Sequence, residues 1–235
     1  ITTEHRCPCR TMGDRPLLDE ASVLPALLDA RGKLKADRRV KKIALSKKTK
    51  VGFEEWRTLE ADLLGRLAEG EAPAQVLGCD PFPELRTTTW LEESERIFIE
   101  GVTDTSGFSF AAQWFVLAMR ACLEPDGVLD RTPARPWAAA FDRAEQRPGS
   151  NRAPREVFSD WIADVIWSLT WTDDRTFDVA RAELATRLAV AERIAATLEA
   201  DHAVGSGRAA AEAITVVELM GESELWTEVV SLIRS

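Results

Sequence analysis

The residues whose types and spacing point most clearly to a chemistry are cations. Residues 31–50 hold ten of the thirty Lys and Arg residues and a single acid, a local charge of about +9, while the other residues hold twenty cations against thirty-eight acids. A basic segment on an acidic body attracts polyanions locally, although the whole molecule carries −9. We predict that the ten cations bind nucleic-acid backbone, DNA or RNA; they are Arg31, Lys33, Lys35, Arg38, Arg39, Lys41, Lys42, Lys47, Lys48 and Lys50.

Part of this basic segment, residues 31–50, has the spacing of a helix. Arg31, Lys35, Arg38 and Lys42 lie four, three and four residues apart, which would form one cationic stripe if the preceding helix continued to Lys42. Residues 46–50 read as an exposed loop that adds cations and two hydroxyls able to bond phosphate oxygens. Such contacts would weaken steeply with salt and show little sequence preference. A solvated surface or a patch that docks on an acidic protein are the alternatives.

A second group of residues could ligate a metal. His5, Cys7 and Cys9, with Cys79 as a distant fourth, form a thiolate-rich set that would suit zinc. Their one-residue gaps are not the spacing of common zinc motifs, and the three lie close to the first residue of the chain. We therefore predict an N-terminal tail here, with no metal and no cofactor.

Three carboxylates invite comparison with magnesium sites. Asp173, Asp174 and Asp178 precede or open a long predicted helix, and in some helical enzymes such acids hold magnesium. Acids are also preferred there because they cap a helix and complement its dipole. A metal-dependent helical hydrolase is therefore the third functional hypothesis.

Nucleophilic catalysis finds little support. His202 and Ser206 are four residues apart around a turn, without the strained geometry that exposes a nucleophile and without an acid to orient the histidine. The chain has only two His and no phosphate-loop, dinucleotide or zinc-protease pattern. A binding protein is favoured over an enzyme.

Helical periodicity dominates the elements that must position these residues. Apolar positions recur at helical spacing through most of the chain, and no series of strands appears. We predict an all-α fold, an irregular bundle of eight or nine helices with at most one short strand pair. Residues 107–123 are apolar on all sides and should form a buried core helix.

Proline-rich stretches mark the predicted lobes. Residues 1–21 are an N-terminal tail, and residues 22–146 form a helical lobe that carries the basic segment. Residues 147–153 are the connection, and residues 154–235 form a C-terminal helical lobe. The long connections inside this arrangement are residues 70–88 and 125–154.

The function that these observations favour is binding. We predict a cytoplasmic, non-catalytic helical subunit of a larger nucleoprotein assembly, with nucleic acid and other protein subunits as partners and no membrane. Cysteines without a C-x-x-C pair, no visible signal peptide and no long apolar run support this setting. The alternative from another class is a helical protein-interaction or regulatory module without nucleic-acid binding.

Overall fold

The fold is all-α with one short hairpin, as predicted. The computed structural model describes residues 42–81, 92, 95–96, 107–122, 129, 131–145, 152–173, 175–224, 226–228 and 230. The elements within them are β1 Lys42–Ala44, β2 Lys50–Gly52, α1 Phe53–Ala68, α2 Pro73–Leu77, α3 Gly107–Ala121, α4 Ala138–Glu145, α5 Pro154–Ser168, a 3-10 turn Thr170–Asp173, α6 Phe177–His202 and α7 Ser206–Gly221. No helix in these ranges is long and apolar enough to cross a bilayer.

Contacts divide the chain into two compact units. The first contains residues 1–79 and 159–182, and the second contains residues 80–158 and 183–235. The lobes 22–146 and 154–235 inferred from proline content stay a prediction.

The first unit holds the hairpin, α1 and α2. Helix α1 begins directly after Gly52 and buries Trp56, Leu63 and Leu67 on one side, the spacing expected of an amphipathic helix. Helix α2 lies inside residues 70–88, which the sequence suggested were a connection. Its five residues are too few for a periodic pattern, although Pro at its start and Gly78 at φ 59° after its end mark its limits.

A side-chain clamp closes the turn between α1 and α2. The Arg66 guanidinium donates to both carboxylate oxygens of Glu71, with Nε 2.8 Å from Oε2, and to the Gln75 carbonyl at 3.3 Å. The hydrogen bond from Arg66 lowers the pKa of Glu71 below its usual range. The clamp thus joins the end of α1 to the start of α2.

The second unit is built around α3 and α7, which pack against each other. Helix α3 buries Trp114, Phe115 and Met119 completely, so the prediction of a core helix is confirmed. Helix α7 buries Ala209, Ala213 and other residues of its apolar side. Small residues on α7 allow the two helices to approach closely.

A buried carboxylate organises the second unit further. Glu212 on α7 is fully buried and accepts hydrogen bonds from Arg135 at 2.9 Å, Trp137 at 3.0 Å and Arg208 at 2.8 Å. Arg208 also pairs with Asp142 on α4 at 2.7 Å. A buried charge without a partner is strongly destabilising, so these hydrogen bonds and ion pairs hold α4 and the residues before it against α7.

Candidate nucleic-acid interface

Four of the predicted binding lysines lie on the β-hairpin formed by residues 42–52, which we call the basic hairpin. Strands β1 and β2 are antiparallel, with Lys42 opposite Gly52, Ile43 opposite Val51 and Ala44 opposite Lys50. Side chains alternate between the two faces of a strand. Lys42 and Lys50 therefore share the exposed face, whereas Ile43 and Val51, 1% and 6% exposed, share the buried one.

The buried face connects the hairpin to the core of the first unit. Helix α1 contacts both strands. In its first turns the fully buried Trp56 packs edge-on against Trp171 and Phe177, with ring centroids 5.2 and 4.8 Å away. The lysines are therefore carried by a supported element.

Hydrogen bonds also define the loop of the hairpin. The Leu45 amide donates to the Thr49 carbonyl at 2.9 Å. The amides of Lys48 and Thr49 donate to Ser46 Oγ at 3.2 and 3.1 Å. The Leu45 carbonyl accepts from the amide of Asp178 at 3.0 Å, which ties the loop to the start of α6. This ordered loop presents two consecutive lysines at its tip.

The four lysines of the basic hairpin are exposed and have no acidic partner among the described residues. Lys42, Lys47, Lys48 and Lys50 are all exposed to solvent. None of them takes part in an ion pair in the described part of the chain. Their four positive charges are available to an external anion.

The described arginines behave differently. Many of them are paired with carboxylates of the same chain, as Arg66 is with Glu71, Arg187 with Glu218 and Arg135 with Glu212. Other arginines, such as Arg131 and Arg143, are exposed, so arginine serves both the fold and the surface. The hairpin is distinguished by the four exposed lysines gathered within residues 42–50.

The sequence contains a related signal that charge counting overlooked. All seven lysines of the chain lie between positions 33 and 50, and twenty of the twenty-three arginines lie outside residues 31–50. Lysine is a compact, strongly hydrated charge on a flexible stem, whereas arginine is suited to fixed ion pairs. Counting lysine and arginine separately would have marked the same segment more sharply.

One predicted feature of the segment is wrong. Lys42 does not end a cationic helical stripe, because it opens β1 and pairs with Gly52. The β-branched Ile43 and Val51 favour the strand. The exposed loop predicted over residues 46–50 is confirmed for residues 47–49, while Ser46 is half-buried and Lys50 already belongs to β2.

The other predicted binding residues lie outside the described ranges. They are Arg31, Lys33, Lys35, Arg38, Arg39 and Lys41. The same holds for His5, Cys7, Cys9 and Asp174 and for the side chain of Asp173. The six cations, the tail and the aspartate hypothesis stay predictions.

Acids border the basic hairpin and limit its extent. Glu54 and Glu55 are exposed in the first turn of α1, directly after β2, and Glu54 pairs with Arg57 at 3.4 Å. Asp178 is exposed at the start of α6. Its side chain accepts a hydrogen bond from Thr176, and its amide is the one that donates to the Leu45 carbonyl. The cationic surface is therefore centred on the loop and the exposed strand face.

The remaining candidate chemistry does not assemble into a site in the described ranges. No three His, Cys, Asp or Glu residues there are arranged to hold a metal ion. Ser206 begins α7, and the His202 ring contacts the Trp114 ring at 6.3 Å. Burial raises the pKa of the Cys122 thiol, which makes this cysteine a poor nucleophile.

Comparison with known proteins gives no relative for this surface. The chain matches no family model, no curated protein and no solved structure. Function must rest on the charge and geometry of the basic hairpin.

Proposed function

We propose that the protein is a non-catalytic helical subunit that binds the phosphate backbone of a nucleic acid through the basic hairpin and the cations that precede it. The observation that supports this function best is the set of four exposed lysines on one supported hairpin, none of them paired with an acid of the described ranges. Lysines of this kind are typical phosphate contacts, which position a protein without reading bases.

Net charge makes such binding local and dependent on salt. The chain carries −9 overall, so its acidic surface repels a polyanion except where the cations are concentrated. Each phosphate neutralised by a lysine releases a counterion, and the affinity for duplex DNA then falls with salt with a slope of about −0.9 per contact. Four hairpin contacts would give a slope of roughly −3.6.

The same distribution of charge, a few cations on an acidic protein, supports a place within a larger nucleoprotein assembly. A small cationic surface on an acidic body binds weakly alone, and additional protein subunits would raise the effective affinity through multivalency. The proposed partners are therefore nucleic acid and other protein subunits.

Removing the two lysines of the loop tests the function. We expect Lys47→Ala with Lys48→Ala to weaken binding to a labelled nucleic acid by about tenfold for each lysine at low salt, since each loses one phosphate contact. The salt slope should fall by about 0.9 per lysine. Fluorescence anisotropy over a series of salt concentrations measures both quantities.

The matched control removes two exposed cations elsewhere. Arg131 and Arg143 are both exposed and lie outside the basic hairpin, so Arg131→Ala with Arg143→Ala changes the net charge by the same amount. We expect the control to bind as the parent protein does. Equal losses in the two double variants, or no binding by the parent protein to any nucleic acid at low salt, would contradict the proposed function. Retention of an acidic protein instead, after nuclease treatment, would favour the protein-interaction alternative.

A further inference from the structure

We infer that the ligand of the basic hairpin is a double-stranded nucleic acid, held at its phosphates and bound more tightly than a single strand of the same length. This inference rests on the proposed function and concerns the class of nucleic acid. It follows from which side chains accompany the lysines and which do not.

Aromatic side chains, the usual partners of unpaired bases, are absent from the basic segment. The first 52 residues contain no Phe, Trp or Tyr, and the whole chain has no Tyr. The next aromatics along the chain are Phe53, which is half-buried, and Trp56, which is fully buried. Proteins that hold single strands without sequence preference gain about 1–3 kcal/mol per base from stacking on such rings. The basic segment lacks this contribution.

The aromatic residues that pack on Trp56 are also inaccessible to bases. Trp171 and Phe177, which pack on Trp56, are 5% and 4% exposed. In the ranges that the structure describes, no Phe or Trp side chain is fully exposed, and the exposed His202 ring lies at the end of α6, outside the basic hairpin. A single strand on the hairpin would therefore gain phosphate contacts without stacking.

The cations of the hairpin do not stack on bases either. All four are lysines, whereas the planar guanidinium of arginine is the cation that stacks on bases. Lys42 and Lys50 are diagonal neighbours on the exposed face, and Lys47 and Lys48 occupy the loop between them. Four point charges are thus concentrated within one small element.

Such a cluster is matched best by a dense array of phosphates. Duplex DNA carries one charge per roughly 1.7 Å of its axis, and each neutralised phosphate contributes about 0.9 to the salt slope, against about 0.7 for a single strand. With four contacts, this difference favours the duplex by roughly tenfold at about 50 mM salt. Base stacking on the hairpin, which would favour a single strand, does not offset this preference.

Competition between probes tests the inference. A labelled 20-base-pair DNA duplex of mixed sequence and an unstructured 20-nucleotide oligothymidine are titrated with the parent protein at about 50 mM salt. The same pair is repeated as RNA, because phosphate contacts alone would accept both kinds of duplex. We expect each duplex to bind roughly tenfold more tightly than its single strand, with a steeper salt slope.

The outcomes separate the two proposals. Single strands bound as tightly as duplexes, or more tightly, would overturn the inference of a duplex ligand and leave the proposed function standing. Binding to none of the four probes would overturn the proposed function itself. In the double variant Lys47→Ala, Lys48→Ala the preference for the duplex should shrink with the salt slope, and an unchanged preference would count against the hairpin as its source.

Discussion

At the scale of single residues, burial and pairing separate the cations of the fold from those of the candidate site. Arg187 is almost fully buried beside Glu218, whereas Lys47 and Lys48 are exposed at the tip of a loop. Residue type alone does not separate them, because exposed arginines such as Arg131 also occur in the described ranges. The division follows from desolvation, because a buried charge requires a partner and an exposed one does not.

Gly207 shows how tightly the second unit is packed at one residue. A Cβ atom at this position would lie 2.2 Å from the carbonyl oxygen of Arg152, which belongs to the backbone and has little freedom to move. We expect Gly207→Ala to lower the free energy of unfolding by about 1–3 kcal/mol through overpacking. Urea denaturation measures the change.

Gly65 provides the matched control. It lies inside α1, and an added Cβ would meet nothing within 4 Å. Gly65→Ala should raise the free energy of unfolding by about 0.5–1 kcal/mol, since alanine favours the helix. Similar effects of the two substitutions would contradict the close approach of Gly207 to Arg152.

At the scale of elements, the long helices could be predicted and the hairpin could not. Helices α5, α6 and α7 have 15, 26 and 16 residues, so their apolar positions recur over several turns and are recognisable in the sequence. Strands β1 and β2 have three residues each. Their alternation is too short to outweigh the helical spacing of the cations before them, and their pairing is a tertiary outcome.

The cluster around Glu212 makes a prediction about one element. Glu212→Ala leaves Arg135, Arg208 and Trp137 without their shared acceptor. We expect the free energy of unfolding to fall by about 2–4 kcal/mol, because a partly buried charge loses its partner. The protection of α4 amides against hydrogen exchange should fall as well, since this cluster fixes α4 against α7.

Its control is the exposed pair of Glu54 and Arg57, 82% and 30% exposed at their side chains. Glu54→Ala should cost below about 1 kcal/mol, as is usual for surface ion pairs. Unfolding free energies and α4 exchange that are the same for both variants would refute the organising role of Glu212.

At the scale of the whole molecule, charge segregation is the feature that links sequence and proposed function. The sequence alone predicted the all-α class and the core helix, because composition and periodicity report burial directly. The cationic surface stays a prediction, of which the structure describes four exposed lysines. The sequence did not predict that the described lysines would share a supported hairpin, with no acid of the described ranges paired to them. Those properties depend on contacts between residues as distant as Leu45 and Asp178.

Lysine footprinting tests the central claim most directly, since all seven lysines lie in residues 33–50. The protein is acetylated with acetic anhydride, alone and saturated with duplex, and modification is read by mass spectrometry. We predict that the duplex lowers the reactivity of Lys42, Lys47, Lys48 and Lys50, and that high salt restores it because the contacts are electrostatic. Unchanged reactivity of these four lysines in a saturated complex would contradict the account.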